Sequence, residues 1–222
     1  MSKPATDPLA QLTEIRAIME RSSRFISLSG LSGVGAGMVA LAGAGVGHLY
    51  LQQRYPYAGY LRLLQSTAEE RQAVLPFLLV LALGIMGAAL AVASFFTIRR
   101  ARRAGQAVWS ALGRRLAISL LIPLTAGGLF CLALFLQGAV GLVVPGLLVF
   151  YGLALLNASK YTLDEIRWLG LTQIVLGLVA LLFPGFGLMF FALGFGLGHI
   201  GYGLLMYNRY ERNQSVETRS ER

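Results

Sequence analysis

Long runs without a charged side chain dominate the pattern of this chain. No Asp, Glu, Lys or Arg lies between Arg24 and Arg54, Arg71 and Arg99, Arg115 and Lys160, or Arg167 and Arg209. A helix needs about 20 apolar residues to cross roughly 30 Å of hydrocarbon. The first two runs therefore hold one crossing each, and the last two are long enough for a pair each. The pattern predicts an all-α, polytopic transmembrane bundle of six helices, with spans at 25–51, 73–98, 116–136, 138–156, 166–183 and 186–207. A soluble helical bundle is excluded by size, because 222 residues cannot cover six wholly apolar helices with polar ones.

Polar punctuation fills in the connections. Asp7 and Pro8 fit an N-cap followed by Pro at the first helical position. Leu9, Leu12, Ile15, Ile18 and Met19 then recur at helical spacing beside Glu14, Arg16, Glu20 and Arg21. Residues 1–24 thus form a cytoplasmic amphipathic segment that lies on the membrane or docks on the protein's own face. Ser66 with Glu69, Thr67 with Glu70, and Thr162 with Glu165 each fit a capping box, marking the starts of the second and fifth helices. Pro76 bends the second span, Pro123 interrupts the third and Pro145 with Gly146 interrupts the fourth. Gln137 and Gly138 turn the third span into the fourth, and Pro184 and Gly185 turn the fifth into the sixth. Residues 208–222 form a polar cytoplasmic tail.

Composition agrees with this reading. Hydrophobic residues make up 56% of the chain and charged residues 13%, against about a quarter charged in an ordinary soluble domain. The first 24 residues are polar and the first apolar run is too long for a cleavable leader, so the first span is expected to remain as an anchor. The net charge of +9 comes from basic residues that flank apolar spans, which points to membrane orientation and anionic headgroups and not to nucleic acid. Of the nineteen Lys and Arg, an N-terminus inside leaves only Arg54, Arg62 and Arg71 outside, so both termini are assigned to the cytoplasmic side of a bacterial inner membrane. Arg99, Arg100, Arg102, Arg103, Arg114 and Arg115 surround Val108, Trp109 and Leu112. That connector is expected to lie on anionic lipid headgroups.

Small residues are arranged in rows. Ser29, Gly33 and Gly37 form one, and Gly43 with Gly47 another, each letting two helix backbones approach closely. Packing inside the protein is the preferred reading, with a homo-oligomer interface as the other. The last two hairpins also look like a repeat, because a shift of 46 residues aligns Leu132, Leu136, Gly141, Leu142, Leu147 and Gly152 with Leu178, Leu182, Gly187, Leu188, Leu193 and Gly198.

Gly170, Gly177 and Pro184, followed by an apolar helix with Gly198, Gly201 and Gly203, resemble the hairpin of the bacterial acid-resistance membrane protein HdeD family. That likeness implies six spans and no known chemistry. It covers about forty residues; the first hairpin departs from it, lacking a Pro at its far turn and carrying Tyr50, Tyr55, Tyr57 and Tyr60 instead. The stretch from Arg21 to Gly33 is similar to the start of uncharacterised multipass bacterial inner-membrane proteins, which implies a compartment and no activity.

Candidate chemistry is sparse. The spans hold no Asp, Glu, Lys or Arg, which disfavours an ion-coupled carrier or a voltage sensor. Cys131 stands alone in an apolar run, so an intrachain disulfide and a thiolate metal site are both excluded. His48 and His199 differ in depth by on the order of 16 Å and cannot share a metal. No cofactor is expected, and no nucleophile with a matching base suggests an enzyme. One constellation remains. His199 and Gln173 both lie roughly 10 to 12 Å inside the cytoplasmic ends of their helices. Thr172, Tyr202, Tyr151 and Asn157 belong to the same half. These six either hydrogen-bond between helices or line a polar pocket open to the cytoplasm. The expected function is a non-enzymatic membrane sensor, scaffold or partner-binding protein, with a cytoplasmic protein partner; the alternative is a small transporter or channel for a neutral or weakly polar solute, using the helix breaks at Pro123 and Pro145.

Overall fold

A computed structural model describes residues 29–103 and 111–212. The amphipathic segment 1–24, the start of the first span, Val108 with Trp109, and the tail 213–222 lie outside the described residues. The rest is an all-α bundle, without a strand among the described residues. Its helices are α1 (Gly30–Arg54), the short α2 (Tyr60–Leu64), α3 (Ala68–Arg103), α4 (Ala111–Leu136), α5 (Val143–Ala158) and α6 (Asp164–Ala180). The last span is composite. It runs as α7 (Gly187–Phe191), a π-helical segment (Ala192–Gly198), α8 (His199–Tyr207) and a second π-helical segment (Asn208–Arg212). Five helical stretches are long and apolar enough to cross a membrane, which makes this a multi-pass membrane protein. The sixth, α6, has 17 residues and reaches about 25 Å, with the turn at 181–183 extending it.

The two ends of the described chain lie together, because Gly30 packs on the backbone of Gly203 and Tyr207. This is the terminal end of the bundle. At the opposite, closed end, α2 folds in beneath the two hairpin turns. Gly141 meets Pro184 and Leu64 there, Gly185 meets Leu61, and Gly187 meets Tyr60. Leu51, Leu63, Val74, Phe135 and Val140 are buried there as one cluster, so the tyrosine-rich connector plugs the bundle.

The helices pack in the order α3, α1, last span, then α6 with α5, then α4. Two faces of α1 account for the first contacts. Gly33 and Gly37 lie against Gly203, Ile200 and the backbone of Gly196 and His199, while Gly43 and Gly47 lie against Ile85 and Leu81 of α3. Both glycine rows thus face helices of this chain. The crossing of α5 and α6 is equally close: a Cβ at Gly152 would strike the carbonyl of Gly170, and one at Gly170 the carbonyl of Gly152.

Several local expectations change. Pro123 sits inside an unbroken α4, and Pro145 falls in the first turn of α5, where its missing donor is not needed, so neither breaks its helix. The break lies instead in the π-helical Ala192–Gly198, which no proline marks. At the start of α3 the capping box is Thr67 with Glu70, the Thr67 amide donating to Glu70 Oε2 over 2.8 Å and the Glu70 amide to Thr67 Oγ1 over 3.3 Å, while Ser66 Oγ donates to the Leu63 carbonyl. Helix α6 starts from Leu163, and Glu165 reaches across to the last span. Residues 208–212 continue that span as a helix and are not the beginning of a free tail.

The hairpin repeat is visible in the backbone, at a different offset. Turns 137–142 and 181–186 have the same form, two turn residues, one linking residue with ψ of 48° or 62°, and a 3-10 segment, Val140–Leu142 or Pro184–Phe186. Their hydrogen bonds also correspond: Gln137 to Ala133 with Leu181 to Gly177, and Leu142 to Ala139 with Phe186 to Phe183. The geometric offset is therefore 44 residues, whereas residue identities favour 46. The turns part at Gly138, whose φ of +88° Leu182 does not share.

Candidate functional site

The six polar residues of the expected constellation separate into three groups. The first is buried where the last span meets α5 and α6. Gln173, fully buried, donates from Nε2 to the Gly194 carbonyl over 2.7 Å. His199, 8% exposed, places Nδ1 3.3 Å from the same carbonyl and Nε2 2.5 Å from the Tyr151 hydroxyl. A carbonyl only accepts, so Nδ1 carries the imidazole proton and the Tyr151 hydroxyl donates to Nε2. The Tyr151 ring lies 5.1 Å from Phe195 and 5.3 Å from His199.

The π-helical segment creates this meeting point. Its three glycines let neighbours approach: a Cβ at Gly194 would strike Leu148 and Gln173 Oε1, and one at Gly196 would strike Leu41. Gln173 Oε1 itself finds no hydrogen-bond partner among the described residues. The group is close-packed, with one acceptor left over. A buried amide oxygen without a partner costs about 1 to 3 kcal/mol.

The second group lies at the surface. Thr172 Oγ1 donates to the Trp168 carbonyl over 2.9 Å, which leaves Tyr202 to donate its hydroxyl to Thr172 Oγ1 over 3.0 Å. The third is Asn157, whose Nδ2 donates to the Ser119 carbonyl over 3.1 Å and ties α5 to α4. Gln173 and His199, at one depth by sequence, meet at the Gly194 carbonyl. Depth did not separate Thr172, Tyr202 and Asn157 from them, because it fixes height along a helix and leaves the face open.

The terminal end also carries the basic connector. Arg99, Arg100, Arg102 and Arg103 close α3, and Arg114 and Arg115 stand near the start of α4. Arg100 is half-buried and the other five are exposed. Trp109 lies outside the described residues. Beside this face is a contact that the sequence reading missed. Glu165 accepts from Arg209 Nη1 over 2.9 Å and from the Tyr210 hydroxyl over 3.0 Å to Oε1 and 3.2 Å to Oε2. The Tyr210 ring packs on the buried cluster of Leu155, Leu163, Ile166, Leu169 and Met206. Tyr210, directly after Arg209 at the end of an apolar span, was the available signal.

The closed end carries few cations. Arg62 pairs with Glu70 at 2.8 Å, and Arg71 donates to the Ser66 carbonyl over 2.5 Å while its guanidinium rests on Gly138. Two hollows lie between helices. One of about 380 Å³ is bounded by Ala42, Gly43, Phe77, Gly84 and Ile85, the other of about 260 Å³ by Phe130, Pro145, Gly146 and Leu178. Both are apolar. Among the described residues no three His, Cys, Asp or Glu gather as metal ligands. No protein-family model, curated protein or solved structure matches the chain.

Proposed function

We propose that this chain is a non-enzymatic scaffold of the bacterial inner membrane, with its terminal end in the cytoplasm, where its basic face holds anionic headgroups and offers a docking surface to a cytoplasmic protein. One observation carries the reading: at the terminal end five exposed arginines, Arg99, Arg102, Arg103, Arg114 and Arg115, stand at the end of α3 and near the start of α4, while of the three at the closed end only Arg54 is exposed without a bond among the described residues, Arg62 being paired with Glu70 and Arg71 bonded to the Ser66 carbonyl. Each cation near an anionic surface contributes about 1 kcal/mol. The five exposed ones together hold headgroups firmly at low salt and weakly at high salt.

The test replaces Arg99, Arg100, Arg102, Arg103, Arg114 and Arg115 by Gln in the full-length protein. Protein and variant are purified from membranes of mixed phosphatidylethanolamine and phosphatidylglycerol, and bound lipid is counted by mass spectrometry. The variant is expected to lose at least half of its phosphatidylglycerol while keeping its phosphatidylethanolamine. Equal phosphatidylglycerol on both proteins defeats the reading. A reporter fused to the C-terminus checks the orientation, and its exposure to the periplasm would overturn it.

A second reading, a carrier for a neutral or weakly polar solute, draws on the π-helical segment and not on the prolines first expected to break the helices. Irregular backbone within a span is where carriers bind their cargo. Solute flux into liposomes, abolished by Gln173→Leu, would favour it over the scaffold.

A further inference from the structure

The last described turn of the chain is fastened to the base of α6 by the carboxylate of Glu165. Both oxygens of Glu165 accept from this segment, one from Arg209 and Tyr210 together and the other from Tyr210 alone. The Glu165 side chain is 11% exposed, so its charge is largely withdrawn from water and depends on those donors. Arg209 is the opposite case. Its side chain is 71% exposed, with the guanidinium carbon 5.6 Å from the Tyr210 ring centre, and an exposed pair of this kind is weak and screened by salt.

Two features make the fastening reversible. It lies at the end of the last span in π-helical backbone, a rare form found mostly as single turns and often at functional sites. Tyr210 is one of four side chains, with Leu120, Tyr151 and Tyr202, packed against an apolar cluster at α5, α6 and α8, so its departure exposes part of a surface that the other three still hold.

We propose that Arg209 and Tyr210 form a releasable strap that closes the terminal face over α5, α6 and α8, and that anionic headgroups engaging Arg209 draw it off. The headgroup half rests on the basic-face reading above; the strap itself does not. Release removes a cation from Glu165, uncovers the part of the apolar cluster that lies under Tyr210, and presents an acidic group beside an apolar patch to a partner with basic and aromatic side chains.

Limited trypsin digestion of the full-length protein in nanodiscs tests this, following cleavage after Arg209 and Arg212 by mass spectrometry. In phosphatidylcholine, Glu165→Gln is expected to be cut there at least tenfold faster than the unaltered protein, and Tyr210→Phe at least threefold faster, with cleavage after Arg62 and Arg71 unchanged as a check on the fold. Unaltered rates in both variants overturn the strap. Nanodiscs with phosphatidylglycerol are expected to speed cleavage of the unaltered protein at least fivefold and to leave Glu165→Gln where it was. If phosphatidylglycerol has no effect while Glu165→Gln remains fast, release by headgroups is overturned and the strap stands. Failure of the basic-face reading shows separately, as phosphatidylglycerol retained by the six-Gln variant.

Discussion

At the residue scale, glycine has two different uses in this protein, and a methyl group distinguishes them. A Cβ at Gly152 would enter the carbonyl of Gly170, so Gly152→Ala should cost about 1 to 3 kcal/mol, read as a lower midpoint of thermal unfolding in detergent. Gly84 and Gly87 have nothing within reach of an added Cβ. Replacing either by Ala should leave that midpoint unchanged or raise it, since Ala is favoured over Gly in a helix by about 1 kcal/mol. A fall at Gly84 or Gly87 as large as that at Gly152 would contradict this assignment. Tyr60 makes a second case. Its hydroxyl is buried against Gly187 without a hydrogen-bond partner among the described residues, and burial pushes its ionisation up to about 12. The folded protein therefore keeps a proton that the unfolded chain releases near pH 10. Stability should hold below about pH 10 and fall as the pH rises towards 12. Tyr60→Phe should flatten that decline and add about 1 kcal/mol at neutral pH, measured by unfolding across the alkaline range.

At the element scale, the composite last span separates what the chain makes legible from what it conceals. The span itself is plain, because charge is absent between Arg167 and Arg209. Its π-helical interior is not. A π turn differs from an α turn by one residue, and in Ala192–Gly198 glycines alternate with apolar residues that satisfy either spacing. The prolines misled for a related reason: Pro123 marks a missing donor but not whether neighbouring helices hold the backbone straight. Residue identities favour an offset two residues longer than the turns show, since apolar helices match one another at several shifts and only the turns fix the register. The Gln173–Gly194–His199–Tyr151 contacts follow from this element and can be ranked. Tyr151→Phe leaves a buried imidazole nitrogen without its donor and should cost about 1 to 2 kcal/mol. Gln173→Leu gives up one interhelical bond of about 0.6 kcal/mol and also removes the unpartnered Oε1, so its net effect should be small. Unfolding of both variants in the same detergent checks the order, and a Gln173→Leu loss equal to that of Tyr151→Phe would refute it.

At the scale of the whole molecule, α3 packs chiefly on α1, and α1 is held to the rest chiefly by the last span. A chain ended after residue 186 keeps five of the six membrane helices but strips one face of α1, leaving Gly33 and Gly37 against lipid. Such a truncated protein should insert and yet be cleared several-fold faster than the full chain, which pulse labelling would measure; equal lifetimes would argue against this architecture. The cause is the order of manufacture. A ribosome delivers α1 first and α8 last, and these two must clasp backbone to backbone through Gly30, Gly33 and Gly203. Until the last span has been made, α1 lacks the helix that covers Gly33 and Gly37, so this packing can form only after that span has followed the other five out of the ribosome.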